Sequence, residues 1–333
     1  MIETLVSDYL TELAEMFTSP RKRVFVGYLV AALLIGMLWL RWRFGSGWLS
    51  GCRQMLSPAI WWSSSARADY QILLLNRLLM MLISPLLLSQ VVLATLIYQQ
   101  LHGLIGNPPL PGSLLPDWSV MTAFTLFFFL LDDFARYFLH MLMHRWPWLW
   151  AFHKVHHSAR TMTPLTVLRT HPVEGVLFAL RSVLVQAISI GLFLFFFGSQ
   201  VDLITVLGVN VLVFTFNVTG ANLRHSHVAI GYWKPLERIL ISPAQHQIHH
   251  SVEPRHYDKN FGAVLAVWDW LGGSLHLSER DTPLCFGLAA NVVEGEQSLK
   301  QLYLAPFTES YQALRSAGRH WLRRAARGAV RMR

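Results

Sequence analysis

The chain has 333 residues and a formal net charge of +9; 53% of its residues are hydrophobic, 13% aromatic and only 14% charged, with a mean hydropathy of +0.37. A soluble domain carries roughly 25% charged residues, so an ordinary water-soluble globule is excluded, and two distant cysteines, Cys52 and Cys285, exclude a disulfide framework or thiolate metal site. In a soluble protein the positive charge would suggest nucleic acid; here Arg and Lys flank apolar runs, which points to a membrane surface and to no nucleic-acid partner.

The first twenty residues contain Glu3, Asp8, Glu12 and Glu15 and no basic start, so no cleavable signal peptide is expected. Val24 to Leu40 is the first apolar run, bounded by Arg21, Lys22 and Arg23 and by Arg41 and Arg43, and is about long enough to span. A second run, Leu78 to Leu101, has Pro85 inside it, which a membrane helix tolerates. The Pro/Gly-rich stretch 106–117 ends any helix. A third run, Trp118 to Leu131, continues through Phe138 to the first histidines. Val176 to Phe197 and Leu203 to Val218 are expected to form a hairpin of two further spans around Gly198, Ser199 and Gln200. From Arg224 the chain turns polar. Tyr311 to Arg333 is an Arg-rich tail (Arg315, Arg319, Arg323, Arg324, Arg327, Arg331, Arg333), read as a surface helix on anionic headgroups or as a solvated basic end.

Basic residues give an orientation. Lys and Arg are absent from Leu78 to Ala135 and from Ser182 to Leu223, so the loops in those stretches are expected to face away from the cytoplasm. The histidine-bearing segments and the basic tail then emerge on the cytoplasmic side. The side of the N-terminus stays open, because the first span is basic at both ends. The fold class expected is all-α: a multi-pass helical membrane protein with a histidine-rich metal site at its cytoplasmic face. Its divisions are N-terminal spans and connection (1–115), a catalytic domain (116–285) and a basic C-terminal tail (286–333).

The histidines carry the chemistry. His140 and His144 are four apart, on one face of a helix. Pro147 breaks that helix, with Trp146, Trp148 and Trp150 suited to the membrane interface. His153, His156 and His157 then occupy one face of a second short helix. About ninety residues later His246, His249 and His250 repeat the same offsets, after Ser242, Pro243 and Gln245, a helix-start pattern. His225, His227 and His171, the last with Glu174 nearby, add to the set. With 15 histidines in the chain, such clustering by chance falls below about one in a thousand. His102, His276 and His320, standing alone, read as packing or hydrogen-bonding residues. Eight or more neutral imidazoles suffice for two metal ions, and a thiolate-free, nitrogen-rich pair suits iron and oxygen chemistry.

These boxes, HxxxH at 140–144 and HxxHH at 153–157 and 246–250, resemble those of the fatty acid hydroxylase/sterol desaturase superfamily of integral membrane di-iron enzymes. The surrounding "DDFARYFLHMLMHRWPWLWAFHKVHHS", "LRTHPVE", "LERILISPAQHQIHHS" and "DKNFGAVLAVWDWLGGSLHL" support the resemblance. It covers roughly residues 125 to 280. It implies a centre of two Fe ions that activates O2, as co-substrate, to hydroxylate or desaturate an unactivated lipid C–H bond. It also implies an external electron donor, since ferredoxin, cytochrome b5 and pterin types all occur among relatives. His140, His144, His153, His156, His157, His246, His249 and His250 would be iron ligands on this resemblance, with His225 and His227 as further ones and His171 as either a ligand or a residue that supports one. Ligating imidazoles usually donate their second N–H to a carboxylate or carbonyl. Asp133, two turns before His140, and Glu174 are the acids expected to act there, with Glu237 and Asp258 as alternatives; ion pairs with Arg136, Arg238 or Lys259 are the other reading. Hydroxylation is the default outcome and desaturation the runner-up. A metal transporter is a rival reading, but transporter sites lie near the bilayer midplane, whereas these histidines cluster at span ends and in the polar segment.

Overall fold

The computed structural model describes residues 2–107, 115–198, 201–279, 284–288 and 298–331, with side chains up to residue 318. Thirteen α-helices dominate the described residues: α1 Ile2–Thr18, α2 Val26–Phe44, α3 Trp48–Met55, α4 Pro58–Trp61, α5 Ser64–Ile83, α6 Gln90–Ile105, α7 Asp117–Arg145, α8 Pro147–His157, α9 Pro172–Phe197, α10 Val211–Val218, α11 Pro243–His249, α12 Val267–Gly272 and α13 Leu299–Arg331. Among the described residues four helical segments are long and apolar enough to cross a membrane: Val26–Phe44, Ser64–Ile105, Asp117–Arg145 and Pro172–Phe197. The all-α membrane architecture read from the sequence is therefore what the chain adopts.

Two expected spans take a different form. The second apolar run is not one helix: α5 ends at Ile83, a 3-10 turn covers Ser84–Leu86 around Pro85, and α6 starts at Gln90 under a Ser89 cap. Leu203 to Val218 does not cross as a helix at all. Thr205–Val206 and Val209–Asn210 pair as an antiparallel ribbon, β1 and β2, around Leu207 and Gly208. Both turn residues have positive φ (50° and 72°), as a tight hairpin turn requires. Asn210 then caps α10 by accepting from Leu212 N. An eight-residue helix is about 12 Å long, well under the roughly 30 Å of bilayer hydrocarbon. Ser199 and Gln200, at the expected hairpin tip, and most of the Pro/Gly-rich stretch lie outside the described residues.

The remaining packing positions the histidines. A 29-residue α7 is about 44 Å long, so it can cross and still carry its last turns, with His140 and His144, beyond the apolar zone. Gly191 on α9 sits against α6, where a Cβ would lie 3.0 Å from the Ala94 carbonyl; a small residue permits that close approach. Midway along α7, Asp132 accepts from Arg181 of α9 (2.7 Å) and from Arg136 (2.8 Å), the partnering a buried carboxylate needs there. Helix α13 packs its early turns on α8: Phe307 meets Phe152 edge-on, Leu302 joins Ile72 and Val155, and Lys154 pairs with Glu309. The arginines expected on headgroups from Arg319 onward, and His320, lie beyond the described side chains.

Candidate metal centre

Local sequence sets each histidine helix. Pro147 starts α8 at its first position, where a missing N–H costs nothing. Ser242 starts α11 with a capping box: its Oγ accepts from Gln245 N at 3.2 Å and Gln245 Oε1 accepts from Ser242 N at 2.9 Å. His225 ends a 3-10 turn, Ala221–His225, held by side chains from two distant parts of the chain. The Gln247 amide donates to the carbonyls of Leu223, Ser226 and Val228 (3.0–3.1 Å). Arg23, just before α2, donates to Asn217 Oδ1 (3.0 Å) and the Ala221 carbonyl (3.1 Å).

Together these elements gather nine of the predicted ligands into two clusters. His140, His144, His153, His157 and His249 form one; His156, His225, His246 and His250 form the other, with the ligand atoms of each within 4.8 Å of one another. Each HxxHH box divides the same way. Its i, i+4 pair enters one cluster and its middle histidine enters the other: His153 and His157 against His156, and His246 and His250 against His249.

The proton positions follow from the partners. His140 Nδ1 lies 2.8 Å from the Phe261 carbonyl, His249 Nδ1 2.7 Å from that of Lys259, and His156 Nδ1 3.2 Å from that of Arg169. A carbonyl accepts only, so each Nδ1 carries the proton and each Nε2 presents a lone pair. His153 Nδ1 faces Glu174 Oε1 at 3.0 Å, and both side chains are buried. In the first cluster all five Nε2 atoms are buried without a hydrogen-bond partner, the arrangement a cation would complete.

The second cluster makes the same point by crowding. His225 Nε2 lies 3.1–3.2 Å from the Nε2 atoms of His156, His246 and His250. One N–H can serve only one of these, so lone pair faces lone pair unless a cation stands between them. Nitrogens about 2.1 Å from a common metal ion are about 3.0–3.4 Å apart at octahedral or tetrahedral angles. The residues present therefore fit metal ions. Burial lowers the pKa of His156 to about 3 and those of His153, His157, His225, His246, His249 and His250 well below the ordinary value. All stay neutral, the ligand form.

Three predicted site residues are placed otherwise. His171 caps α9: Nδ1 accepts from Val173 N (3.1 Å) and Nε2 donates to the Tyr303 carbonyl (3.1 Å), so neither nitrogen is free for a metal. His227 is exposed and outside both clusters, because the chain leaves the 3-10 turn at Ser226 in an extended conformation. Asp133 does not reach an imidazole; it accepts from the N–H groups of Val264 and Leu265 and from Trp268 Nε1, each at 2.9 Å. Of the alternatives, Glu237 holds Ser242, Tyr232 N and Ser278 N, and Asp258 stands 3.9 Å from His144. Glu174 alone among these acids is in hydrogen-bond contact with an imidazole of either cluster.

Backbone carbonyls supply what the acids do not. Asp269 accepts from Phe261 N (2.8 Å) and Gly262 N (2.7 Å), and Asp133 fixes the following residues, so the strap 259–265 turns the Lys259 and Phe261 carbonyls toward His249 and His140. On the other side, buried Arg169 donates to Asp69 (2.7 Å), the Val155 carbonyl (3.1 Å) and Ser158 Oγ (3.0 Å) while its own carbonyl faces His156. Sequence reading missed these groups. The "FGAVLAVWDW" string held one usable sign in Gly262, where a Cβ would come within 2.6 Å of the Leu265 carbonyl. It missed a third group as well: His256, His276 and Glu279 also bring ligand atoms within 4.8 Å of one another.

Residues 125–274 match the fatty acid hydroxylase family. Alkylglycerol monooxygenase of Caenorhabditis elegans is 26% identical over 181 residues, 54% of this chain and 31% of that protein. Ornithine lipid hydroxylase OlsE of Rhizobium tropici is 27% identical over 181 residues (54% of this chain, 50% of that protein), and Delta(7)-sterol 5(6)-desaturase ERG3B of Gibberella zeae is 28% identical over 152 residues (45% and 42%). The matched stretch spans from under a third to half of these relatives' length. No solved structure matches the chain significantly.

Proposed function

We propose, from the membership of residues 125–274 in the fatty acid hydroxylase/sterol desaturase superfamily, that this chain is a membrane monooxygenase that hydroxylates a lipid C–H bond. The observation that carries the reading is the pair of buried all-histidine clusters with Nε2 atoms turned inward and no other partner for five of them. Two iron ions held by these clusters would supply O2 activation and the oxidising power for an unactivated C–H bond. The chain's own residues orient the imidazoles, keep them neutral and exclude water. Glu174 and the carbonyls of Phe261, Lys259 and Arg169 fix the Nδ1 protons, which leaves Nε2 as donor atom at four positions.

An apolar cavity of about 160 Å³ supports a lipid as substrate. Leu33, Met55, Ile60, Trp61 and Leu223 line it, and it reaches Ser226 and His227, directly after His225. An acyl or alkyl chain entering there from the bilayer would lie between α2 and α3 with its reacting carbon toward the second cluster. His227 and Ser226 would then face the polar part of the lipid. Reductant would come from an external donor of ferredoxin, cytochrome b5 or pterin type at the cytoplasmic face. Labelling exposed Cys285 from one side of sealed vesicles tests that orientation; modification from the extracytoplasmic side alone would overturn it.

The test of function is a comparative lipidome of cells expressing the chain and its His156→Ala/His249→Ala variant. A lipid class that gains oxygen only with intact clusters is the expected result. A class that instead loses two hydrogens would make the enzyme a desaturase. No lipid change in a membrane supplied with reductant, from protein with metal bound, would sink the reading.

A further inference from the structure

The third group stands apart from both clusters and shares no residue with them. His256 ends a 3-10 turn, Pro254–His256, and is 1% exposed, yet neither of its ring nitrogens has a hydrogen-bond partner. A neutral imidazole always carries one N–H and one lone pair, so both are buried unmet. Its ring lies 5.3 Å from that of His276. His276 Nε2 is 3.4 Å from Glu279 Oε1 but, like both ring nitrogens of His256, makes no hydrogen bond.

We propose that His256, His276 and Glu279 form a separate site for a divalent first-row cation of the zinc type. Two imidazoles and one carboxylate are a recurrent zinc donor set, with the fourth position left to water. The three ligand atoms already lie within 4.8 Å of one another, and a modest side-chain contraction brings them to coordination distance. Burial pushes the His256 pKa down, which favours the neutral form a ligand needs. Arg255 contacts both Glu253 (2.7 Å) and Glu279 (3.1 Å). A carboxylate has about four lone-pair sites, enough for Glu279 to hold Arg255 and a cation together.

The site cross-links the strap behind the main centre. Asn260 donates to the His276 carbonyl (2.9 Å) and accepts from His276 N (2.7 Å), and its amide also reaches the Gln245 carbonyl (3.0 Å). A cation joining residue 256 to residues 276 and 279 closes the loop that carries the Lys259 and Phe261 carbonyls. It is a positioning site, and it stands whether or not the chain is a lipid hydroxylase.

The test uses the full chain purified in detergent, stripped of metal and refilled with Zn2+ alone. Metal content is then measured on wild type, His276→Ala, Glu279→Gln and His156→Ala. The wild type should hold one equivalent more than His276→Ala. Glu279→Gln should bind that equivalent at least tenfold more weakly with an unchanged metal-free melting temperature, which shows an intact fold. Co2+ loading should give visible absorption that His276→Ala loses in part and His156→Ala retains in the same part. Equal zinc content in wild type and His276→Ala overturns the site and leaves the two-cluster reading intact. A His276-dependent equivalent with no His156-dependent one does the reverse.

Discussion

His157 and His250 stack ring on ring, centroids 4.5 Å apart and planes 26° from parallel, yet they belong to different clusters. They are the last histidines of the two HxxHH boxes. The contact joins α8 to α11 at the boundary between the two sites.

The division of each box makes single substitutions unequal. His156→Ala takes one ligand from a cluster of four, while His153→Ala takes one from a cluster of five. A metal site left with three imidazoles loses affinity sooner than one left with four. Metal analysis after dialysis should show His156→Ala losing close to one equivalent and His153→Ala retaining most of its metal. Equal losses would mean that the two clusters are not separate sites.

Glu174→Gln tests the one carboxylate that orients a ligand. The amide still offers an oxygen to His153 Nδ1, 3.0 Å away in the parent, but without charge. Loss of such an outer partner typically costs about 10–100-fold in metal affinity or activity. Competition with a graded chelator reads the affinity directly, and an unchanged midpoint would remove Glu174 from the site.

Gly262→Ala should act at a distance. The added methyl meets the Leu265 carbonyl at 2.6 Å and Asp269 Oδ2 at 2.8 Å, so the strap must shift and take the Phe261 carbonyl away from His140. We expect a loss of about 1–3 kcal/mol, typical of overpacking, together with weaker metal retention. A variant as stable and as metal-rich as the parent would show that the strap does not hold His140.

The α9 cap should titrate. Burial lowers the His171 pKa below 6.5, and its Nδ1 must stay bare to accept from Val173 N. The unfolded chain takes up a proton at this residue below about pH 6.5 while the folded chain resists, so the folded state loses stability as pH falls through that window, by at most about 1.4 kcal/mol per pH unit. Asn keeps a capping oxygen without a charge change. Melting curves from pH 7.5 to 5.5 should show His171→Asn losing less stability than the parent; parallel curves would contradict it.

Much of the centre was legible because its ligands sit on helices, where offsets of three and four define a face without knowledge of the fold. Gln245 and Ser242 likewise announce α11 by local chemistry alone. What could not be read was tertiary. Which cluster receives His156 depends on how α8 meets α11. The carbonyls of Phe261, Lys259 and Arg169 have no side-chain signature. Asp133 reads in the sequence as a partner for an imidazole, but it holds two backbone N–H groups and the Trp268 indole some 130 positions away. Leu203 to Val218 reads as a span because hydropathy sums over a turn that only the positive φ of Leu207 and Gly208 reveals. His256 and His276, twenty residues apart, form no pattern until the chain folds back at Asn260.

The exchange of ligands between α8 and α11 has a consequence for assembly. Neither cluster is complete until both helices are docked, since each draws its ligands from both boxes. The first ion captured therefore fixes the helix pair that the second ion needs. Loading should be cooperative, with half-filled protein scarce at any metal concentration, and a cell short of metal would hold empty and full copies side by side rather than a uniform population of partly filled ones.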